Sequence, residues 1–218
     1  MSALTPPDAL RARVLAAAAA KPSPTRVTGK RVAVGLVVAS IALALIVFEI
    51  AGGFGHTEGR PLTLTVAIAG GWAVVSAALT WLAIGRGGST LPRRPVVLAS
   101  AALAAPIAAF VWLHLFNGAY DEPFQRVGYR CLAYTLIIAA LPLAGFFVLR
   151  RGIEPRRPAA LGAAVGAVCG AWSGVVVDLW CPLTNTPHVL VGHVVPLALL
   201  GFVGAVLGLR LLGVRRSS

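Results

Sequence analysis

The sequence predicts an all-α membrane protein, a bundle of six transmembrane helices with both termini in the cytoplasm. Three observations predict it. The 218 residues are 58% hydrophobic and only 12% charged, with a mean hydropathy of +0.85, whereas a soluble domain is usually about a quarter charged. The apolar residues fall into six long runs joined by short connections, each run reaching the roughly 20 residues that cross the hydrocarbon layer. The basic residues gather at one set of run ends. This balance excludes a disordered chain, a coiled coil and an ordinary soluble enzyme.

Residues 1–31 form a polar tail. Pro6-Pro7-Asp8 resembles a helix start, and residues 9–20 favour helix until Pro22 and Pro24 stop it. Leu10, Val14, Ala17 and Ala18 share one side and Leu15 lies off it, so the helix is weakly amphipathic. It reads either as a juxtamembrane helix held to lipid by its arginines or as a docking helix for a cytoplasmic partner. The first span, 32–53, begins too late and runs too long for a cleaved signal peptide.

The second and third spans are expected at 61–84 and 95–116. The fourth, 129–149, opens on Tyr129-Arg130-Cys131. The fifth, 159–180, carries Gly162, Gly166, Gly170 and Gly174, each four residues after the last. At helical pitch they make one smooth groove for a neighbouring backbone. The sixth, 188–212, answers with Gly201, Gly204 and Gly208. Packing of the fifth helix on the sixth is the simplest expectation, and a seam between two copies is the alternative. Pro106, Pro142 and Pro196 fall inside the third, fourth and sixth spans and predict kinks. Residues 213–218 end the chain.

Orientation follows from the arginines and lysines. With the N-terminus inside, sixteen of the 19 fall in the tail, the second and fourth loops and the C-terminal end, leaving Arg60, Arg126 and Arg130 outside. That is a strong positive-inside signal. The net charge of +12 is then a topological device whose partner is anionic lipid, and no motif for nucleic acid is visible.

The spans carry no Asp, Glu, Lys or Arg in their central parts, which argues against an ion-coupled transporter or channel. No His-Glu-x-x-His or Gly-x-Ser-x-Gly element is present. The chain is expected to be neither an enzyme nor the holder of a cofactor with a known motif.

The reactive side chains concentrate at the outer ends. His56, His114, His188 and His193 map there, with Cys131 and Cys181, while Cys169 lies at mid-span as a packing residue. Cys131 and Cys181 admit two readings: a structural disulfide in an oxidising periplasm, or thiols that sense oxidant or bind soft metal. Cys181, His188 and His193 are a speculative metal set, because Cys-x6-His-x4-His is no standard zinc spacing. Five residues also place the two histidines about 140° apart on an α-helix, so both could face one site only if the helix began between them.

These residues resemble the NrsF family of bacterial six-span membrane anti-sigma factors, negative regulators of sigma F. The similarity lies in the six-span plan, Cys131 opening the fourth helix, the run 161–171 with Cys169, Cys181-Pro182 beyond the fifth helix, and Gly204 with Gly208-Leu209-Arg210-Leu211 in the sixth. It covers the last ninety or so residues well and the first four helices by pattern. The resemblance implies an inner-membrane protein that holds an extracytoplasmic-function sigma factor and releases it on a periplasmic redox or metal stress. It makes Cys131 and Cys181 the sensing pair. The tail, through Leu10, Arg11, Val14 and Leu15, becomes the docking segment, assisted by the basic loops. A membrane redox, metal- or haem-binding protein and a structural membrane subunit are the other classes.

Overall fold

The computed structural model describes residues 26–53, 60–84, 126–149 and 157–212, together with single helical positions within 8–16 and 103–114. Every long element among them is a helix. They are α1 (Arg26–Ala51), α2 (Leu62–Ile84), α3 (Tyr129–Leu149), α4 (Pro158–Trp180), the short α5 (Thr186–Val189), a π-turn (Leu190–Val194) and α6 (Val195–Leu212). Among the described residues four stretches are long and apolar enough to cross a membrane: Arg31–Ala51, Tyr129–Leu149, Pro158–Trp180 and Thr186–Leu212. A shorter apolar stretch, Leu62–Ala78, lies in α2. The expected third span falls largely outside the described residues; Leu103, Ile107, Phe110 and His114 are helical within it.

Local sequence explains the helix ends near the loops. Gly52 and Gly53 follow α1 at φ +116° and +56°, conformations that a side chain would oppose. Pro158 starts α4, where its missing N–H is no loss. Cys181 then turns extended, as the residue before Pro182 prefers. Asn185 caps the last helical run, its Oδ1 accepting from the His188 backbone N–H at 3.1 Å.

α4 is the central helix. Burial reaches 72% along it, against 11% along α1, and it packs on α6, α2 and α3, most extensively on α6. The glycines decide that seam. A methyl built on Gly162 would meet the Gly204 carbonyl, one on Gly166 the Leu200 carbonyl, and one on Gly208 the Pro158 carbonyl. The two backbones therefore touch along most of their length, as small-residue seams in membranes allow. Gly170 faces the side chain of Leu200 at 3.1 Å, while Gly174 leaves α6 altogether and looks toward Trp72 of α2 at 4.0 Å. Gly201 stands well clear, 3.8 Å from the Ala163 carbonyl.

Apolar clusters fill the layers. Ile68 and Trp72 of α2 pack with Val168 and Ala171 of α4 and Leu197 of α6. Cys169 sits with Val165, Leu143 and Leu200, a packing role. Val47, Phe48 and Ala51 close α1 against Cys131, Val177, Trp180 and Cys181. This last cluster brings the C-terminal ends of α1 and α4 and the start of α3 to one end of the bundle.

A buried Cys2His2 cluster as the candidate functional site

Three segments converge on that end. The start of α3 supplies Cys131, the end of α4 supplies Asp178 and the following Cys181, and the α5–π-turn run supplies His188 and His193. Their approach depends on two glycines. A methyl on Gly128 would strike the His188 carbonyl at 2.5 Å and the Gly192 nitrogen at 2.6 Å, and one on Gly192 would meet the Cys131 Cβ at 3.0 Å. The backbone ahead of α3 thus lies directly on the π-turn, which carries Cys131 to the histidines.

The result is a compact set of donors. Cys131 Sγ donates to Cys181 Sγ at 3.6 Å, and neither sulfur is in a disulfide. His188 Nε2 lies 3.3 Å from Cys131 Sγ and 3.1 Å from Cys181 Sγ. One ligand atom from each of Cys131, Cys181, His188 and His193 lies within 4.8 Å of all the others, and all four residues are buried. The speculative metal set of Cys181, His188 and His193 and the sensing pair of Cys131 and Cys181 are brought together in one place.

Outer partners orient both rings. His188 Nδ1 lies 2.9 Å from the Arg126 carbonyl. A carbonyl can only accept, so the neutral ring carries its proton on Nδ1 and turns the Nε2 lone pair toward the sulfurs. His193 Nδ1 stands 2.9 Å from Asp178 Oδ1, leaving Nε2 as its second donor. Arg60, buried just ahead of α2, donates through Nη1 to the Asp178 carbonyl at 3.0 Å and to the Cys181 carbonyl. Arg130 lies at the rim, 5.5 Å from the Tyr134 ring and 5.7 Å from that of Trp180.

The expectation that His188 and His193 could share a site only if the helix began between them is overturned. The helical run begins at Thr186, ahead of both, yet both face the cluster, their ring centroids 5.5 Å apart. The reason is the π-turn, closed by the Val195 N–H on the Leu190 carbonyl. Its i→i+5 bonding adds a residue to the turn, so positions five apart come close to one line. Pro196 follows at once and has no N–H to offer the carbonyl four residues back. Pro196 signalled only a kink near this place, not the turn itself. Asp178, Arg60 and the Arg126 carbonyl carried no such signal, because only contact makes them partners of the histidines.

The remaining candidates lie elsewhere. His114 stacks on Phe110 at 4.2 Å, with Nδ1 3.2 Å from the Phe110 carbonyl, on its own helix. His56, Leu10, Arg11 and Val14 fall outside the described residues. Leu15 is helical and exposed.

The profile described as "Negative regulator of sigma F" (NrsF) matches residues 15–213, nearly the whole chain. No curated protein and no solved structure matches it. Cys131, Cys181, both histidines and the α4–α6 seam all fall inside the matched stretch, and the chain belongs to the NrsF family of negative regulators of sigma F.

Proposed function

We propose that this chain is a non-catalytic, integral inner-membrane anti-sigma factor that holds an extracytoplasmic-function sigma factor and frees it when a periplasmic redox or metal stress reaches Cys131 and Cys181. The observation that carries the reading is the buried Cys131–Cys181–His188 contact in a chain whose family is named for negative regulation of a sigma factor. Soft donors gathered where α3, α4 and the α5–α6 run meet suit signal input. The topology is six spans with both termini inside, supported by the four long apolar helices, the apolar stretch of α2 and the lopsided distribution of basic residues.

Coupling follows from the packing. A change at the cluster moves the start of α3, which carries Cys131, against the joined α4 and α6. Their glycine seam continues to Pro158 and Gly208 at the far end, so the pair passes the displacement on as a rigid unit to the basic fourth loop. The sigma factor docks on the tail through Leu10, Arg11, Val14 and Leu15, with the arginine-rich second and fourth loops assisting, and anionic lipid contacts the remaining basic residues. Direct binding to nucleic acid has no part in this reading. A haem is disfavoured because Cys131, Cys181 and His188 touch one another at 3.1–3.6 Å, closer than donors on opposite faces of a macrocycle.

The test is co-purification of the tagged full-length protein from mild detergent, with mass spectrometry of what it retains. A sigma factor held by the wild type and lost on deletion of residues 1–31 supports the reading and its docking site. Abundant, folded protein that retains no sigma factor overturns it.

A further inference from the structure

We propose that Cys131, Cys181, His188 and His193 form a single tetrahedral site for a divalent thiophilic cation of the zinc and cadmium class. The site stands on its own geometry, and its role as the signal input rests on the regulator reading above.

The donor spacing is the first argument. A tetrahedral ion with metal–sulfur bonds of about 2.3 Å and metal–nitrogen bonds of about 2.0–2.1 Å sets its sulfurs about 3.8 Å apart and each sulfur about 3.5 Å from a nitrogen. The two sulfurs here are 3.6 Å apart, and His188 Nε2 stands 3.3 and 3.1 Å from them. Cys131, Cys181 and His188 are thus within a few tenths of an ångström of the coordination shell, and His193 completes the set within 4.8 Å of them.

The second argument is the surroundings. A metal-bound imidazole gives its other N–H to a carboxylate or a backbone carbonyl, which fixes the ring and raises its basicity. His188 has the Arg126 carbonyl and His193 has Asp178 in those places. Two histidines oriented in this way toward two thiols exceed what packing at a helix junction requires. Burying this many polar groups in an apolar bundle is unfavourable unless they are paired, and a shared ion pairs all four at once.

Charge selects the ion. On binding, each thiol gives up its proton, so two protons leave for one cation that enters, and no electrons move. Two thiolates, two neutral imidazoles and a divalent ion sum to zero. Asp178 is matched by Arg60, which is bonded to the Asp178 carbonyl. A monovalent ion would leave a net negative charge in this buried place, which is strongly disfavoured. Thiolate with imidazole in tetrahedral array favours zinc and its softer congener over magnesium, calcium or manganese. Four protein ligands also leave no open position, as in structural and sensing sites rather than catalytic ones.

The experiment titrates reduced, metal-free full-length protein in mild detergent with Co2+, followed by competition with Zn2+ and Cd2+. Expected is one Co2+ per chain, with thiolate-to-cobalt charge transfer in the near ultraviolet, tetrahedral d–d bands in the visible, and displacement by Zn2+ or Cd2+. His193→Ala and Cys131→Ser should each abolish or shift those bands, and Asp178→Asn should weaken Co2+ binding about 10- to 100-fold with the bands retained. Folded wild-type protein that shows no stoichiometric tetrahedral spectrum overturns the site, as do bands unchanged in His193→Ala. Sigma-factor retention, measured on the same preparation, separates the two readings. Retention without Co2+ binding sinks the cation site alone, and Co2+ binding without retention upholds the site while removing its assigned role.

Discussion

His193 and Asp178 face each other with Nδ1 and Oδ1 2.9 Å apart, both side chains buried where α4 ends against the π-turn. The contact joins the last turn of one helix to the widest turn of another. It turns an acidic residue at a helix end into the partner that orients a ring. Arg60 completes the group by holding the backbone of the same turn through the Asp178 and Cys181 carbonyls.

Cys181→Ser should therefore uncouple the regulator from its signal while leaving partner retention intact. Serine keeps the size and a hydrogen bond but is neither a soft ligand nor oxidisable. Sigma-dependent reporter output under cadmium or thiol-oxidant stress should stay at the unstressed level. Normal induction in the variant would remove this cysteine from sensing.

The π-turn supplies a sharper test. Inserting one alanine after Val191 sets the two histidines six positions apart instead of five. His193 then swings about 100° away from His188. The helical circular dichroism should hold while the stress response is lost. A response that survives would show that the two histidines need not share a face.

Substitutions along the α4–α6 seam should follow the contacts and not the spacing. Gly162→Ala and Gly204→Ala each drive a methyl into a backbone carbonyl, and overpacking of that kind costs about 1–3 kcal/mol. Gly174→Ala meets Trp72 at an ordinary 4.0 Å and should be near neutral. Thermal unfolding in detergent checks the order, and equal losses at all three positions would contradict the seam.

Arg60→Met should destabilise the cluster end of the bundle by leaving the Asp178 and Cys181 carbonyls without this donor, a loss of about 1–3 kcal/mol for buried groups. Hydrogen exchange at the end of α4 and in the α5 run should rise. Unchanged protection there would place the guanidinium outside the structural frame of the cluster.

Cation binding and oxidation should exclude each other. A disulfide needs the sulfurs drawn from 3.6 Å to about 2.05 Å, which consumes both thiolate ligands. Wild-type protein loaded with Zn2+ should therefore form the Cys131–Cys181 disulfide with diamide at least several-fold more slowly than metal-free protein. Equal rates would mean that zinc does not engage both thiols.

Helix class and most helix positions were legible in the sequence because a lipid-crossing helix announces itself by length and apolarity alone. The expected span at 129–149 coincides with α3, and 159–180 differs from α4 by one residue. Neither reading depends on knowing what a helix touches. The glycines at 162, 166, 204 and 208 could be seen as a seam for the same reason: one helix's pitch sets which of them share a face. What tertiary structure decided is everything that depends on two segments meeting. Gly174 follows the same spacing but faces α2. His188 and His193 fail the α-helical spacing rule and are united by a π-turn beside Pro196. Asp178 and Arg60 become partners of the cluster only through contacts across 15 to 118 residues of chain. Periodicity is a property of one helix, whereas a site is the intersection of several, and the depth and rotation at which they cross are set by the close backbone approaches at Gly128, Gly192 and the α4–α6 seam.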